Sequence, residues 1–591
     1  MTPKAHVLKC SIILDFIVHE QRILTQSPSR TLIIINQHLI TMKLSIALLV
    51  TTLAAAEASG SSKWANLRRR LSFEKVAGYM PGSQVTDHCA IDLDQKAMEA
   101  QISLKTPESF ENARRIYNEG GNSKSYAMLT LTVPLKTAIK KGDLIVGKNQ
   151  EGNEVAGKAY ANYDMSTSTI KVQYMTTDLQ DSYVQCQVGA LVETNTKGCF
   201  VGEMGDLKID GAEYAYTYNA AEDNRGGRTI AGFSEDDNAK DKMRVGCKGC
   251  PYEDFQYFYD YYGKDDYAHH WIEAAFAGEK TQFTYGNADF SRYTLEGKGE
   301  VIKKGTAYLN IFMYVIRELE DALDDCERDC INCNDAPVHA WDEAVCFYTG
   351  SIEGVDGATD DGKLLHQLAD KRCANYKTCG VEGTDLAGMA KLNYDLFNLF
   401  AVGNFQLSTG NCPAARRTTK EIITKLYVPM IQGTMRYAYK ADKLSGGEKE
   451  KAEGAVFAAA VLPRVHAVSP TAAKTIYDNM KVDASSTDFK AVKAAFESVY
   501  AEVGISCTDI GGLWNEGTNM YYSGMEPCAE TISTMNSEVE TKNNNTLAVA
   551  LGCTFGALFA IAAAMVVYMR SREKQGTPVF KTSETDVKDM N

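Results

Sequence analysis

The chain has 591 residues, of which 45% are hydrophobic and 9% aromatic, a composition typical of globular proteins long enough for several domains. Its 76 acidic residues outnumber the 62 basic ones, which gives a formal net charge of -14. Such a charge disfavours nucleic acid and anionic membrane surfaces as partners, and it favours cations as ligands.

The first segment with a clear signal lies inside the sequence. Residues 42–58 read MKLSIALLVTTLAAAEA, with one lysine, an apolar run and the small residues Ala56 and Ala58 near the end. This is the pattern of a cleaved secretory signal peptide. We therefore predict that translation starts at Met42 and that residues 1–41 are an upstream extension, whose apolar runs are too short and too polar to span a bilayer.

Two parts with different periodicity follow the signal peptide. Within residues 59–245, short segments alternate apolar and polar residues between Gly, Asn and Asp, which predicts an antiparallel β-rich extracellular domain. Within residues 246–529, apolar residues recur at three- and four-residue spacing, which predicts a mainly helical domain. A weak similarity between Tyr259–Phe276 and Tyr477–Phe496 suggests that the helical unit is duplicated.

The C-terminal part has the composition of a membrane anchor. Residues 530–546 form a polar stalk, residues 547–569 carry no charge and predict a transmembrane helix, and residues 570–591 start with basic residues and predict a cytoplasmic tail. The predicted fold class is α+β: an N-terminal antiparallel β-rich domain, a mainly α-helical and duplicated domain, and one C-terminal transmembrane helix. The predicted location is the plasma membrane, with a single pass and an extracellular ectodomain that also visits endosomal vesicles.

The cysteines fit an oxidising compartment. Of the 16 cysteines, Cys10 lies in the upstream extension and Cys553 in the predicted membrane helix, which leaves fourteen in the ectodomain. An even number of this size predicts up to seven disulfides. The CKGC and CINC segments have zinc-ligand spacing, but outside the cell disulfides are the favoured interpretation.

Two segments combine the residue types that bind metal ions. They are YDYYGKDDYAHHW (259–271) and VHAWDEAVCFYTGS (338–351). In a helix, three- and four-residue spacing would place the carboxylates and imidazoles of each segment on one face. Imidazole is a good ligand for iron, and hard cations prefer oxygen donors such as carboxylates and phenolates. The alternative is that the rings pack in a core and that the acid–histidine pairs are surface ion pairs.

The chain lacks the common catalytic signatures. No HExxH, GxSxG or GxxxxGK[ST] motif occurs in it. The resemblance described in the next paragraph implies a binding and uptake role, and we therefore predict that the protein is not an enzyme.

Longer segments of the helical part form a pattern of their own. They include FQYFYDYYGKDDYAHHWIEAAF, VHAWDEAVCFYTGSIEG, LFAVGNFQLSTGNC and VPMIQGTMRYAYKAD, within about residues 252–507. In this order they resemble the phytotransferrins of marine phytoplankton and the related periplasmic iron-assimilation proteins of green algae. The resemblance implies a surface protein that binds ferric iron with carbonate as a synergistic anion and delivers it by endocytosis. Endocytic adaptors or a ferric reductase would be partners.

The resemblance directs the choice of site residues. The predicted iron ligands are Tyr259, Asp266, His269, His339, Asp342 and Glu343. Carbonate needs a cationic or amide cradle. The predicted anion-binding residues are Arg436, Thr434 and Arg372.

Two other functions fit part of the sequence. A surface adhesion or structural protein, held by disulfides and with tyrosines used for packing, would bind no specific metal. An extracellular metalloenzyme would use a site of two histidines and one carboxylate, with an open coordination position.

Overall fold

The computed structural model describes most of the chain between residues 75 and 529. The residues in this range that it does not describe are 84, 124–125, 149–151, 153, 175–203, 219–227, 236, 245–251, 329–335 and 358. The predicted signal peptide, stalk, transmembrane helix and tail lie outside the described residues, as do the cysteines of CKGC and CINC.

Helices make up most of the described structure, and a single π-helical turn, Thr306–Ile311, joins two of them. The helices that begin before residue 300 are α1 (Thr86–Cys89), α2 (Ile91–Ser103), α3 (Pro107–Glu119), α4 (Gly232–Glu235), α5 (Asp237–Arg244), α6 (Glu253–Tyr262), α7 (Tyr267–Ala277) and α8 (Leu295–Gly305). The later helices are α9 (Phe312–Glu327), α10 (Ala336–Thr349), α11 (Leu365–Tyr376), α12 (Lys391–Ser408), α13 (Cys412–Leu426), α14 (Val428–Lys443), α15 (Glu448–Val468), α16 (Pro470–Met480), α17 (Phe489–Glu497), α18 (Tyr500–Val503) and α19 (Cys507–Ile510).

Helices α2 and α3 belong to the helical body, although they precede the strands in the chain. Ile102 on α2 and Phe110 on α3 are buried in the same core as residues of α8 to α17. They lie so close to Gly299 on α8 that a Cβ atom there would be 2.8 Å from Ile102 Cγ2 and 3.3 Å from Phe110 Cζ. A larger residue at position 299 would therefore push these helices apart.

A six-stranded antiparallel barrel is inserted between α3 and α4. The strands are β1 (Ala127–Leu131), β2 (Leu144–Lys148), β3 (Glu154–Ala159), β4 (Thr169–Tyr174), β5 (Met204–Ile209) and β6 (Ala212–Thr217). They close in the order β1-β4-β3-β2-β5-β6, around a core of their own. The backbone N–H of Arg228 donates to the carbonyl of Ser123 over 2.8 Å, so the chain leaves the insertion where it enters it. A two-stranded ribbon of β7 (Trp514–Asn515) and β8 (Met520–Tyr521) lies near the end of the described chain.

The predicted fold class is therefore wrong in its N-terminal half. There is no N-terminal β-rich domain in the described part of the chain; the strands form a small barrel inserted in a mostly helical protein. The helices on both sides of the barrel share one core. Among the described residues, no helix is both long and apolar enough to cross a bilayer, so the structure gives no support to the transmembrane part of the prediction.

Four disulfides connect described residues. They are Cys89–Cys346, Cys326–Cys412, Cys373–Cys379 and Cys507–Cys528. The prediction of a disulfide-linked protein is confirmed. The first of them joins α1 to α10 across 257 residues of sequence, and it sets the position of the site described next.

Candidate metal centre

Helix α10 carries one of the two predicted clusters. His339, Asp342 and Glu343 are spaced by three and four residues, and therefore lie on one side of the helix. The disulfide between Cys346 on α10 and Cys89 on α1 holds this side against the short helix that contains His88. A histidine that the sequence analysis did not select is thereby placed beside Glu343.

His88, His339 and Glu343 form the metal group. One carboxylate oxygen, Glu343 Oε1, lies 2.5 Å from His88 Nε2 and 3.0 Å from His339 Nε2. One ligand atom from each residue lies within 4.8 Å of the others, and in the described part of the chain this is the one group of His, Cys, Asp and Glu with such spacing. The side chain of His88 is 2% exposed and that of His339 39% exposed, so the group opens to solvent on the His339 side.

Charged neighbours shift the pKa values of His88 and Glu343 in the metal group. Asp87 Oδ1 lies 3.3 Å from His88 Nδ1, and Arg228 lies 3.2 Å from Asp87 and 4.0 Å from Glu343. Burial and Arg228 lower the pKa of His88, but the carboxylates of Asp87 and Glu343 outweigh them and raise that pKa to about 9. Burial also raises the pKa of Glu343, but His88 and His339 outweigh it and hold that pKa well below its usual range. Glu343 is therefore ionised between the two rings.

Asp342 supports the site from behind. It is fully buried, and its oxygens accept hydrogen bonds from the Tyr79 hydroxyl at 2.5 Å, the Ser83 hydroxyl at 2.7 Å and the Asn404 amide at 2.9 Å. Backbone N–H groups of Gly82 and Ser83 also donate to it. Burial raises the pKa of Asp342 to about 6, although these hydrogen bonds oppose the shift.

Ser83 connects this support to the metal group. Its hydroxyl lies 3.1 Å from His339 Nδ1, the ring nitrogen that does not face Glu343. A partner on the second nitrogen fixes the orientation of a metal-binding imidazole. In this structure Asp342 therefore acts on His339 through Ser83, and it is not one of the three grouped ligands.

The other predicted cluster makes different contacts. Asp266 pairs with His270 at 3.2 Å, and His269 lies 3.1 Å from both Glu235 and the Tyr117 hydroxyl. Burial lowers the pKa of His269, and Glu235 partly offsets it. Tyr259, on α6, is partly buried against the helical core. The structure thus brings His339 and Glu343 together with His88. Tyr259, Asp266 and His269 are not part of this group.

The tyrosine-rich segment is mainly a packing element. The rings of Tyr262 and Tyr267 stack with centroids 4.3 Å apart, and both are fully buried. The Tyr262 hydroxyl donates to the carbonyl of Ala459 over 2.8 Å. Buried tyrosines of this kind contribute ring packing and satisfy their hydroxyl locally.

The three predicted anion-binding residues lie on α11 and α14, whereas the residues of the metal group lie on α1 and α10. Thr434 is fully buried, and its hydroxyl donates to the carbonyl of Met430 over 2.9 Å. Arg372 and Arg436 lie around the ring of Tyr437. The two sets share no residue.

The donor set of the metal group suits a transition-metal ion. Two imidazoles and one carboxylate bind iron, zinc and related ions, and three protein ligands leave coordination positions for water or an anion. The sequence analysis missed His88, for which the sequence offers one signal: it precedes Cys89, whose disulfide to Cys346 joins α1 to α10.

Comparison with known families identifies the helical part. Residues 242–523 match the model of a family described as low iron-inducible periplasmic protein. No curated protein and no solved structure matches the chain. The matched range contains α10 with His339 and Glu343, whereas His88 lies before it.

The match also bears on location. The matching family is described as periplasmic, and no described helix could cross a bilayer. The predicted location as a single-pass plasma-membrane protein is therefore corrected. The description ties the family to low iron, which is consistent with an iron-related role for this part of the chain. The similarity to the low iron-inducible periplasmic protein family covers residues 242–523 of the 591-residue chain.

Proposed function

We propose that the protein binds ferric iron as cargo at the metal group. The observation that carries this proposal is the convergence of His88, His339 and Glu343 in a chain whose residues 242–523 match a family described as low iron-inducible. The arrangement supplies the donors, and the family description supplies the reason to choose iron among the ions that such donors bind.

The ionised carboxylate is central to the proposed binding. Glu343 contacts both imidazoles directly, and a bound ion would take the place of these contacts. An imidazole binds a metal only when its ligating nitrogen is unprotonated. Iron binding should therefore release a proton from His88, whose pKa is raised to about 9, and keep the Glu343 charge.

We also propose carbonate as an accompanying anion. Three protein ligands leave positions that an anion can fill, and the Arg228 guanidinium lies 4.0 Å from Glu343. Delivery by endocytosis, with endocytic adaptors or a ferric reductase as partners, stays a prediction from the resemblance. Its test is the uptake of labelled iron by cells in which endocytosis is blocked.

The test of iron binding is a calorimetric titration of ferric nitrilotriacetate into the purified protein, with and without bicarbonate. We expect wild-type protein to bind iron more tightly with bicarbonate, and His339→Ala to lose at least tenfold in affinity because one of three ligands is gone. His269→Ala is the matched control, a half-buried histidine in the other predicted cluster. Equal losses in the two variants, or unchanged affinity in His339→Ala, would reject the site.

A second function has one observation in its favour. Two histidines and one carboxylate with open positions also form the site of non-haem iron oxygenases. We propose binding without turnover, because the chain carries none of the catalytic motifs named above. Oxygen consumption by the iron-loaded protein, absent in His339→Ala, would favour the enzyme instead. An adhesion or structural protein would bind no iron in the same titration.

A further inference from the structure

Three cationic side chains surround one tyrosine ring between α14 and the C-terminal half of α11. Arg372 lies 6.0 Å, Arg436 5.0 Å and Lys440 5.5 Å from the centroid of the Tyr437 ring. We call these three residues the cation cluster. Helix α14 supplies Arg436 and Lys440 one turn apart, and α11 supplies Arg372.

A fourth cation extends the cluster along a row of aromatic rings. The Phe457 ring stacks on Tyr437 at 5.9 Å and on Tyr308 at 5.5 Å. Lys304 Nζ lies 5.9 Å from the Tyr308 ring. The aromatic faces attract cations, but each such contact is weaker than an ion pair in a buried site. The rings therefore hold the positive groups in place without neutralising them.

Arg372 is a buried cation in this region with unsatisfied hydrogen-bond donors. The residue is 7% exposed, and neither its Nε nor its Nη1 has a hydrogen-bond partner among the described residues. A buried guanidinium without partners costs free energy, because its N–H groups have left water and gained no acceptor. This position therefore lacks a negatively charged hydrogen-bond acceptor.

The carboxylates nearby do not supply that acceptor. Glu450 lies 3.9 Å from Lys440, at the limit of an ion pair. Burial raises the pKa of Glu453 to about 7, so this carboxyl is partly neutral. Burial and Arg436 lower the pKa of Arg372 to about 10, as expected where positive charges repel one another.

We propose that Arg372, Arg436 and Lys440 bind a small oxyanion that carries two negative charges, of the class of inorganic phosphate or sulfate. Arg372 forms the buried base of the site, and Arg436 and Lys440 are half-buried at its solvent side, so an ion can enter from solvent. A dianion would match the surplus of positive charge and accept hydrogen bonds from the arginine fork.

This site is separate from the metal group. It is built on α11 and α14, whereas His88, His339 and Glu343 lie on α1 and α10. The sequence had assigned Arg372 and Arg436 to carbonate at the iron. Because the anion here needs no metal, its binding can be measured in the absence of iron, and its failure would leave the iron proposal untouched.

The experiment is a titration of inorganic phosphate, sulfate and bicarbonate, each separately, into the full chain in a metal-free chloride buffer with a chelator. Calorimetry gives the affinity, and thermal unfolding gives the rise in Tm that a ligand of the folded state produces. We expect phosphate or sulfate to bind at one site and to raise Tm. Arg436→Gln and Lys440→Gln should each weaken this binding by about tenfold, since each removes one charge-assisted hydrogen bond.

The control is Arg292→Gln, which removes an exposed arginine from another part of the surface. Arg372→Met should abolish the anion effect and raise Tm in the chloride buffer without phosphate or sulfate, because it removes an unpartnered buried charge. A lower Tm in that buffer would mean that Arg372 is satisfied without an oxyanion and would overturn the proposal. Absence of phosphate and sulfate binding by the wild type, or equal binding by Arg436→Gln and Arg292→Gln, would also overturn it. Bicarbonate binding that appears only with iron would join these residues to the metal group and reject a separate site.

Discussion

At the scale of single residues, the site depends on how a few buried carboxylates are satisfied. Glu343 is ionised between two imidazoles, whereas Asp342, one residue before it, is held by five donors that fix the backbone around Ser83. Adjacent acidic residues thus take different roles because their surroundings differ. The sequence pattern that placed both among the ligands could not separate them, since the donors to Asp342 are distant in sequence: four come from Tyr79, Gly82 and Ser83, 259–263 positions away, and one from Asn404, 62 positions away.

Replacing Asp342 tests this supporting role. In Asp342→Asn, an amide N–H₂ would face donors that now point at a carboxylate oxygen, so we expect a loss of about 2–3 kcal/mol in the free energy of unfolding. Iron affinity should fall as well, because Ser83 would no longer be fixed beside His339. Urea denaturation gives the stability, with the exposed Asp478→Asn as the control. Stability equal to that of the control would contradict the role.

Asp92 predicts a dependence of stability on pH. It is fully buried, accepts hydrogen bonds from the Ser351 hydroxyl at 2.6 Å and the Ile352 N–H at 2.7 Å, and burial raises its pKa to about 7. Because its pKa is higher in the folded state than in the unfolded state, its contribution is fully present below about pH 4 and is lost as the pH rises to about 7.

Asp92→Asn should remove that contribution. Between pH 5 and pH 7, the free energy of unfolding of the wild type should fall by about 2 kcal/mol more than that of the variant. The expected slope is about 1.4 kcal/mol for each pH unit over which the proton is released. Urea denaturation at both pH values measures the difference. An identical pH dependence in wild type and variant would show that Asp92 does not titrate in this range.

At the scale of elements, the metal group depends on contacts between α1, α10 and α12. The disulfide Cys89–Cys346 holds His88 against α10, and Trp341 on α10 donates its indole N–H to the carbonyl of Phe400 on α12 over 3.0 Å. The helical spacing of the α10 residues was readable from the sequence. The approach of α1 and α12 was not, because it depends on long-range pairing.

The disulfide gives a prediction for iron binding. Cys89→Ser with Cys346→Ser should lower the stability by about 2–5 kcal/mol and weaken iron binding, because His88 loses its covalent tie to α10. The control is Cys373→Ser with Cys379→Ser, which opens a bridge between residues six apart at the C-terminal end of α11. Iron titration should distinguish the two double variants. Equal affinities would mean that His88 is held without the disulfide.

Gly403 tests the packing of α12 on α10. A Cβ atom at this position would lie 2.0 Å from Trp341 Cζ2, so Gly403→Ala must displace the indole or the helix. We expect a loss of about 1–3 kcal/mol, the usual cost of overpacking a core. Val402→Ala, at an exposed neighbouring position, should be close to neutral in the same thermal unfolding measurement. A neutral Gly403→Ala would contradict the close approach.

At the scale of the whole molecule, the barrel is an insertion in a helical protein. Its core is separate from the helical core, and its entry and exit meet at the hydrogen bond between Arg228 and Ser123. Replacing residues 126–226 by a short Gly-Ser linker should therefore leave the helices folded and iron binding intact. Circular dichroism and iron titration of this deletion variant provide the measurement. Loss of helical signal would show that the barrel supports the helical body.

The sequence predicted the later helices well because their apolar residues face one core at regular spacing. It missed α2, where Asp92, Asp94 and Gln95 are buried and obscure the apolar stripe. It also missed α3, although Pro107 and the reciprocal capping of Thr106 and Ser109 are signals of a helix start. The strands between residues 127 and 217 were recognised, but the predicted β-rich range of 59–245 also took in α1 to α5, which are helical.

The central claim is that iron is held by His88, His339 and Glu343, and X-ray absorption spectroscopy of the iron-loaded protein tests it most directly. We predict a first shell that contains two imidazole nitrogens, with the imidazole scattering reduced in both His88→Ala and His339→Ala and unchanged in His269→Ala. A shell made only of oxygen atoms, or spectra that are the same in wild type, His88→Ala and His339→Ala, would contradict the claim.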